Sequence, residues 1–227
     1  LESANVKTSA VIPNYVNAEN TFKEAFRTFV TNILLSEGET KKILITGPTP
    51  GVGKSFTAFH LSDTLAGMGK KVLLLDLDLR RGDLHEMFGI DKSNGFSKKQ
   101  PEINKINENL DFVARGSKIL TPFTIIGSKE LKEFIEAQTP NYDHIIFDTA
   151  PLLSVSDATI LSEYADKKYL VLRQNITTIN ELNFTLSTYE TNNKIFDGLV
   201  LNDFKASSGY YGYDYYSYKY AGNYDYD

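Results

Sequence analysis

The chain has 227 residues, a length that suffices for one well-buried α/β domain. Its net charge of −5 provides no basic surface of the kind that duplex nucleic acid requires, so nucleic acid is not an expected partner. The absence of cysteine excludes disulfides and thiolate chemistry, and no apolar run approaches the ~20 residues that cross a bilayer.

The N-terminal part of the chain divides into an irregular stretch and a helical one. Residues 1–18 show little periodicity, and we interpret them as an extended arm or linker. From Thr21 the pattern Thr-Phe-Lys-Glu is typical of a capping box, and apolar residues then recur at helical spacing. These residues are Phe22, Phe26, Phe29 and Ile33. The segment predicts an amphipathic helix, whose polar pair Glu24 and Arg27 is either a solvated face or a subunit contact.

A glycine-rich stretch follows, Gly-Pro-Thr-Pro-Gly-Val-Gly-Lys-Ser at residues 47–55, between the apolar run 42–46 and a helical pattern. A loop in this position binds polyphosphate through closely spaced backbone N–H groups and the helix N-terminus. Lys54 is expected to contact the β- and γ-phosphates of ATP, and Ser55 is expected to hold Mg²⁺. The two prolines lack N–H groups, so the cradle should use the second half of the loop; a glycine turn without a ligand is the alternative. The expected nucleotide-binding residues are Gly51, Val52, Gly53, Lys54, Ser55 and Phe56.

Two buried runs of the parallel-strand type end in carboxylates. The first, 71–81, carries Asp76 and Asp78, and the second, 142–151, carries Asp148. Ligands of open α/β sheets bind at the carboxyl ends of strands, so these aspartates are expected beside the phosphate-binding loop. We interpret Asp148 as the Walker-B carboxylate that supports Mg²⁺. The alternatives are strand ends that face water for the first pair and a helix N-cap for Asp148.

The remaining segments continue the alternation of strands and helices. Residues 82–109 are irregular and polar, and no chemistry can be read there. The further predicted strands are 110–114, 168–172 and 196–202, and the further predicted helices are 128–138 and about 178–190. Such alternation predicts an α/β P-loop NTPase fold, with a mostly parallel sheet covered by helices on both faces. Asn202 ends a strand on the same edge, and its amide is expected to contact the adenine.

The composition changes abruptly at Ser207. The tail 207–227 contains nine of the 14 tyrosines and few aliphatic residues, so it is predicted to be disordered. An aromatic tail that binds a partner or stacks on bases is the alternative, although its acidic residues and lack of arginine disfavour stacking. The tyrosines are Tyr210, Tyr211, Tyr213, Tyr215, Tyr216, Tyr218, Tyr220, Tyr224 and Tyr226.

Taken together, the phosphate-binding loop, the run Leu-Leu-Leu-Asp-Leu-Asp-Leu-Arg at 73–80, the run Ile-Ile-Phe-Asp at 145–148 and the tyrosine tail resemble the bacterial tyrosine kinases that control capsule and exopolysaccharide synthesis. The resemblance covers residues from about 19 to 227, with a kinase domain over 19–206. It implies that ATP phosphorylates the tail tyrosines in trans, and that Asp76 and Asp78 help to deprotonate the tyrosine hydroxyl. The catalytic residues that it implies are Lys54, Asp76, Asp78 and Arg80, and the metal ligands are Ser55, Asp76, Asp78 and Asp148.

The resemblance also implies partners. The family joins subunits into a ring through a Glu-x-x-Arg-x-x-Arg helix; Glu24 and Arg27 match this pattern, whereas Val30 replaces the second arginine. A neighbour's tail would enter the active site, and a transmembrane polysaccharide co-polymerase, in cis or in trans, and a protein tyrosine phosphatase would be further partners. The expected location is the cytoplasmic face of the bacterial inner membrane. Because the chain starts at Leu1 and not at methionine, the form fused to the membrane segment is favoured.

Two other classes of protein remain as alternatives. Chromosome-partitioning and septum-positioning ATPases have a similar loop and sheet, but their loop carries a signature lysine where this chain has Thr49. A nucleotide sensor without catalytic activity, whose tail binds a partner, is the third possibility.

Overall fold

The computed structural model describes residues 6–14, 19–117 and 119–205. The predicted tail and all of its tyrosines lie outside these residues. Within the described residues, no helix is both long and apolar enough to span a membrane.

The described strands form one eight-stranded sheet in the order β1-β8-β7-β2-β6-β3-β5-β4. Their bounds are β1 Thr8–Pro13, β2 Lys42–Thr46, β3 Val72–Leu77, β4 Asn104–Lys105, β5 Leu110–Val113, β6 His144–Thr149, β7 Lys167–Arg173 and β8 Gly198–Phe204. Every neighbouring pair is parallel except β4 with β5. All residues of β3 and β6 are buried, as expected for central strands of a parallel sheet.

Helices cover both faces of the sheet, which confirms the predicted fold class. Their bounds are α1 Glu19–Leu34, α2 Lys54–Gly67, α3 Leu84–Phe88, α4 Pro122–Ile126, α5 Lys129–Gln138, α6 Asp157–Leu161 and α7 Ile179–Thr191. Successive residues of a strand point to opposite faces. Accordingly Ile43 and Ile45 of β2 pack in the core beneath α1, α2 and α3, whereas Leu44 packs in the core beneath α4, α5 and α6. Leu170 of β7 lies on the second face and packs with α7.

The strand register is held at the amino edge of the sheet by aspartates that precede or begin strands. Asp143 accepts the backbone N–H of Lys71 (2.8 Å), and Asp197 accepts that of Lys168 (2.9 Å). In the same way, Asp166 accepts the N–H of Lys42 (2.8 Å). These bonds align neighbouring strands at one edge, so residues of equal register also meet at the opposite, carboxyl edge.

The structure differs from the sequence expectations in the first 18 residues. The predicted arm contains β1, which pairs in parallel with β8 from Thr8 opposite Leu199 to Pro13 opposite Phe204. The prediction of an arm or linker over 1–18 is therefore wrong for this strand. Only Ala10 and Ile12 are buried, and two alternating apolar residues are too weak a pattern to predict a strand.

Two further differences concern local structure. Helix α1 begins at Glu19, so Thr21 lies within its first turn and is not the N-cap of a capping box. The stretch 82–109 contains α3 and β4 in place of a wholly irregular loop. Both elements are five residues or shorter, too short to show periodicity in the sequence.

Candidate active site

The phosphate-binding loop joins β2 to α2 at the carboxyl edge of the sheet. Gly53 precedes the helix with a φ of 97°, and a Cβ at this position would lie 2.0 Å from Nδ2 of Asn202. Glycine is therefore required both by the backbone conformation and by the close approach. The first amide of the helix to close a helical hydrogen bond is that of Thr57, which donates to the carbonyl of Gly53 (2.9 Å). The preceding N–H groups of the first turn have no intrahelical acceptor and are available to a phosphate.

The structure distinguishes how the predicted loop residues can contribute. Lys54 begins α2 and is buried next to Asp148. Phe56, by contrast, points its ring away from the loop into an aromatic cluster, 5.6 Å from Phe22 and 4.4 Å from His60. Its contribution to nucleotide binding is therefore limited to the backbone N–H.

Two aspartates lie side by side at the carboxyl edge. Asp76 of β3 is the register partner of Asp148 of β6, and both side chains are fully buried. None of their four carboxylate oxygens has a hydrogen-bond partner among the described residues. Burial raises the pKa of Asp76 well above its ordinary value, and the charges of Asp148 and Asp78 raise it further. Two adjacent carboxylates that are buried without hydrogen-bond partners destabilise the folded state, which indicates that a cation completes the site.

Asp148 also faces the loop. Burial raises its pKa as well, while the ammonium group of Lys54 lowers it. The hydroxyl of Ser55 lies close enough to lower this pKa further, although it does not reach ordinary hydrogen-bond geometry. The predicted Walker-B residue is thus brought together with the loop lysine and serine.

These residues fit Mg²⁺. This ion is held by one or two carboxylates together with phosphate oxygens and water, and it seldom occupies a cage made of protein alone. The structure provides Asp76, Asp148 and the Ser55 hydroxyl beside the phosphate cradle. Among the described residues there is no cluster of three or more His, Asp or Glu side chains that would hold a metal without a phosphate.

Asp78 stabilises the turn after β3, a role that the sequence did not indicate. Its Oδ1 accepts the backbone N–H groups of Arg80 (3.3 Å) and Arg81 (3.0 Å), which shapes the turn after β3. Its charge still acts on Asp76, so the side chain lies near the pair. One oxygen is committed to the turn, and metal binding by Asp78 stays a prediction.

Sequence reasoning missed two residues that surround Asp76. A Cβ on Gly82 would lie 2.0 Å from Oδ1 of Asp76, so only glycine fits against this carboxylate. Arg115 donates from Nε to the carbonyl of Gly82 (2.7 Å), and its charge lowers the pKa of Asp76. Arg115 follows β5 at the carboxyl edge, where ligands of parallel sheets bind, so its position after a predicted strand was the signal in the sequence.

Asn202 of β8 and Arg173 of β7 hold the loop by hydrogen bonds to its backbone. The Nδ2 of Asn202 donates to the carbonyl of Val52 (3.0 Å), so this nitrogen is bonded to the loop, and contact with adenine stays a prediction. Arg173 donates from Nη1 to the carbonyl of Gly51 (3.0 Å) and from Nε and Nη2 to Asp203 (3.0 and 2.9 Å). Sequence reasoning also missed Arg173, a cation that supports the backbone of the loop.

The remaining predicted residues lie away from this cluster or at its rim. Arg80 forms an ion pair with Asp157 (2.9 Å), a residue that the sequence analysis did not select. Glu24 and Arg27 are exposed on α1 and form an ion pair with each other. Val30, which replaces the second arginine of the ring motif, is fully buried in the core. In this chain that position therefore faces the core and not a neighbouring subunit.

Comparison with known proteins identifies the family. Residues 43–214 match the model of the CobQ/CobB/MinD/ParA nucleotide binding domain. Tyrosine-protein kinase YwqD of Bacillus subtilis is 34% identical over 203 residues, which cover 83% of this chain and 86% of that protein. The chain belongs to the bacterial tyrosine kinase family. It spans only 28% of the length of a second relative, tyrosine-protein kinase ptk of Acinetobacter johnsonii, which is 34% identical over 86% of this chain.

Solved structures separate this tyrosine kinase family from the runner-up class. The kinase domain of Escherichia coli tyrosine kinase ETK superposes with a TM-score of 0.83 at 27% identity, covering 92% of this chain and 96% of that one. A ParA-family ATPase, a septum site-determining protein and a plasmid partition protein reach TM-scores of only 0.56 to 0.61 at 18 to 23% identity. These latter similarities show the shared fold alone.

Proposed function

We propose that this domain is a protein-tyrosine kinase that uses ATP and Mg²⁺. The observation that carries the proposal is the pairing of Asp76 with Asp148, buried and without hydrogen-bond partners among the described residues, beside Lys54 and Ser55 of the phosphate-binding loop. The names of the relatives, tyrosine-protein kinases in two genera, support the same activity.

The chemistry would proceed by displacement at the γ-phosphorus. The tyrosine oxygen forms the new P–O bond, the bond to the β-phosphate oxygen breaks, and ADP leaves with that electron pair. Lys54 and the amides of the first turn of α2 hold the phosphates and oppose the charge that develops on them. Bound Mg²⁺ would neutralise phosphate charge and orient the transferred group.

Asp76 is the residue that we expect to accept the tyrosine proton. Burial raises the pKa of its carboxyl group, and a carboxylate with a raised pKa is a stronger general base. Asp148 and Ser55 would then hold the metal. This division of roles uses the two aspartates differently, since Asp148 faces Lys54 and Asp76 faces Gly82 and Arg115.

The substrate that we propose is the tyrosine cluster of the tail in a second copy of the chain. Strand β8 ends at Phe204 on the carboxyl edge, and the chain has 20 residues beyond Ser207, at up to ~3.3–3.6 Å each, enough to reach a neighbouring nucleotide site. A ring-like assembly through α1, a transmembrane polysaccharide co-polymerase, a tyrosine phosphatase and action at the inner membrane in polysaccharide synthesis belong to the same proposal.

The test is incubation of the purified protein with ATP and Mg²⁺, followed by detection of phosphotyrosine. Lys54→Met should abolish the signal, because it removes the loop cation. Lys71→Met is the matched control: this lysine is exposed at the opposite edge of the sheet, and its loss should leave the rate unchanged. Release of ADP without phosphotyrosine would favour the alternative of an ATPase of the partitioning or septum-positioning type. Binding of ATP without turnover would favour a sensor.

A further inference from the structure

The ion pair between Arg80 and Asp157 has the geometry of a fork. Nε of Arg80 donates to Oδ2 of Asp157 at 2.9 Å, and Nη2 donates to Oδ1 at 3.3 Å. Two parallel bonds of this kind fix the plane of a guanidinium as well as its position. The carboxylate is fully buried, whereas the arginine side chain is 39% exposed. The buried acid therefore holds a cation that faces outward.

Both residues lie on segments that belong to the active site. Arg80 is in the turn that follows Asp76 and Asp78, and Oδ1 of Asp78 accepts its backbone N–H. Asp157 begins α6, after the loop 150–156 that follows Asp148. Two backbone N–H groups of this loop donate to carbonyls of the phosphate-binding loop, Leu152 to Gly47 (2.9 Å) and Leu153 to Pro48 (3.0 Å). The segment that carries Asp157 is thus bonded to the first half of the phosphate-binding loop.

We propose that Asp157 is a positioning residue for phosphoryl transfer, which holds the Arg80 guanidinium at the rim of the phosphate site; this inference rests on the proposed kinase function. An exposed arginine samples many rotamers, and a cation stabilises transition-state charge best when it is already oriented. The fork to Asp157 uses Nε and one Nη. Among the described residues Nη1 has no acceptor, so it is available to a phosphate oxygen.

A merely structural role for Asp157 is the competing explanation. A carboxylate in the first turn stabilises a helix through the helix dipole, and α6 packs against α4. Loss of that role would lower the thermal stability but would not make the activity depend on Arg80. The experiment must therefore connect the two side chains.

Chemical rescue makes that connection. Arg80→Ala leaves the Asp157 carboxylate in place, and added guanidinium chloride, far below unfolding concentrations, can occupy the vacant site. We expect the rate of tyrosine phosphorylation at saturating ATP to rise with guanidinium in Arg80→Ala but not in the double variant Arg80→Ala with Asp157→Asn. Asp157→Asn alone should lower the rate by roughly 10- to 100-fold, a range typical of outer-shell residues, with KM for ATP nearly unchanged.

Non-additivity is the second readout, and Asp143→Asn is the control. The double variant should be no slower than Arg80→Ala, because both changes remove the same oriented cation. Asp143 accepts a backbone N–H at the amino edge, so its replacement should not change the rate. The positioning role would be overturned by equal rescue in the single and double Arg80 variants, or by a double-variant rate loss equal to the product of the two single-variant losses. Phosphotyrosine in the wild type would still support the kinase function in either case. A wild type without phosphotyrosine would overturn both.

Discussion

Replacement of Asp76 by asparagine should stabilise the nucleotide-free protein while it inactivates the enzyme. Asp76 is fully buried, and neither of its carboxylate oxygens has a hydrogen-bond partner among the described residues. Asparagine has the same shape, carries no charge, and brings an N–H that can donate to Asp148. An unsatisfied buried polar group costs ~1–3 kcal/mol, so we expect the free energy of unfolding to rise by about that amount. For a domain of this length the gain corresponds to a Tm increase of about 2 to 12 °C.

The same substitution at Asp157 is the matched control and should have the opposite sign. Asp157 is equally buried, but its two oxygens accept hydrogen bonds from Arg80. Asp157→Asn removes the charge from a satisfied pair and leaves the guanidinium without its partner. We therefore expect a lower Tm than that of the wild type. Differential scanning calorimetry with EDTA and no nucleotide, at about pH 7.5, where the unfolded carboxyl groups are ionised, compares the three proteins directly.

The dependence on pH and on ligand gives two further checks of this reasoning. Because the folded pKa of Asp76 is raised, the folded wild type binds a proton over a range where the unfolded chain does not, so this carboxyl group lowers the stability as the pH rises through that range. The advantage of Asp76→Asn should therefore shrink at low pH. Addition of Mg²⁺ and ATP should stabilise the wild type more than the variant. A Tm for Asp76→Asn below that of the wild type, as for Asp157→Asn, would refute the claim that the unsatisfied carboxylates of Asp76 and Asp148 destabilise the nucleotide-free protein.

Three more predictions concern the loop, the core and the assembly. Arg173→Ala should weaken ATP binding about tenfold, ~1.4 kcal/mol, because Arg173 supports the carbonyl of Gly51; an unchanged Kd by calorimetry would contradict this. Burial lowers the pKa of His60, so as the pH falls below ~6.5 the unfolded chain binds a proton before the folded protein does, and the free energy of unfolding decreases. In urea titrations at several pH values, His60→Gln should make the free energy of unfolding depend less on pH; the same dependence in both proteins would contradict this. Light scattering should find the Lys54→Met protein in larger assemblies than the phosphorylated wild type, because each phosphotyrosine adds roughly −1.5 to −2 charge and the subunits then repel each other. Equal masses would show that phosphorylation does not control the assembly.

The parts of the fold that the sequence predicts are those with strong local patterns. The runs that become β2, β3 and β6 are long, apolar and bounded by turn residues, and the glycine-rich loop joins the first of them to a helix. Parallel strands place their carboxyl ends at one edge, so the sequence alone indicates that Asp76 and Asp148 lie near Lys54. In the structure Asp76 and Asp148 are direct register partners, and the charge of Lys54 acts on Asp148.

The parts that escaped prediction depend on contacts between distant segments. Asp157 is 77 positions from Arg80, and no local pattern relates an acid in a short helix to an arginine in a turn. Strand β1 exists because β8, at the other end of the described chain, supplies its hydrogen-bond partners. The fit of Gly82 against Asp76 is likewise a tertiary contact. The position of Arg115 after a predicted strand could, however, have been identified from the sequence.

The kinase proposal is tested most directly by the mass of the protein after incubation with ATP and Mg²⁺. Intact-mass and peptide spectra should show several phosphate additions on the wild type, mapped to tyrosines between Tyr210 and Tyr226, and none on Lys54→Met. A mixture of Lys54→Met with an active protein that lacks 207–227 tests the proposed transfer in trans, which would place phosphate on the inactive chain. ADP formation with no phosphate on any tyrosine of the wild type would contradict the kinase assignment.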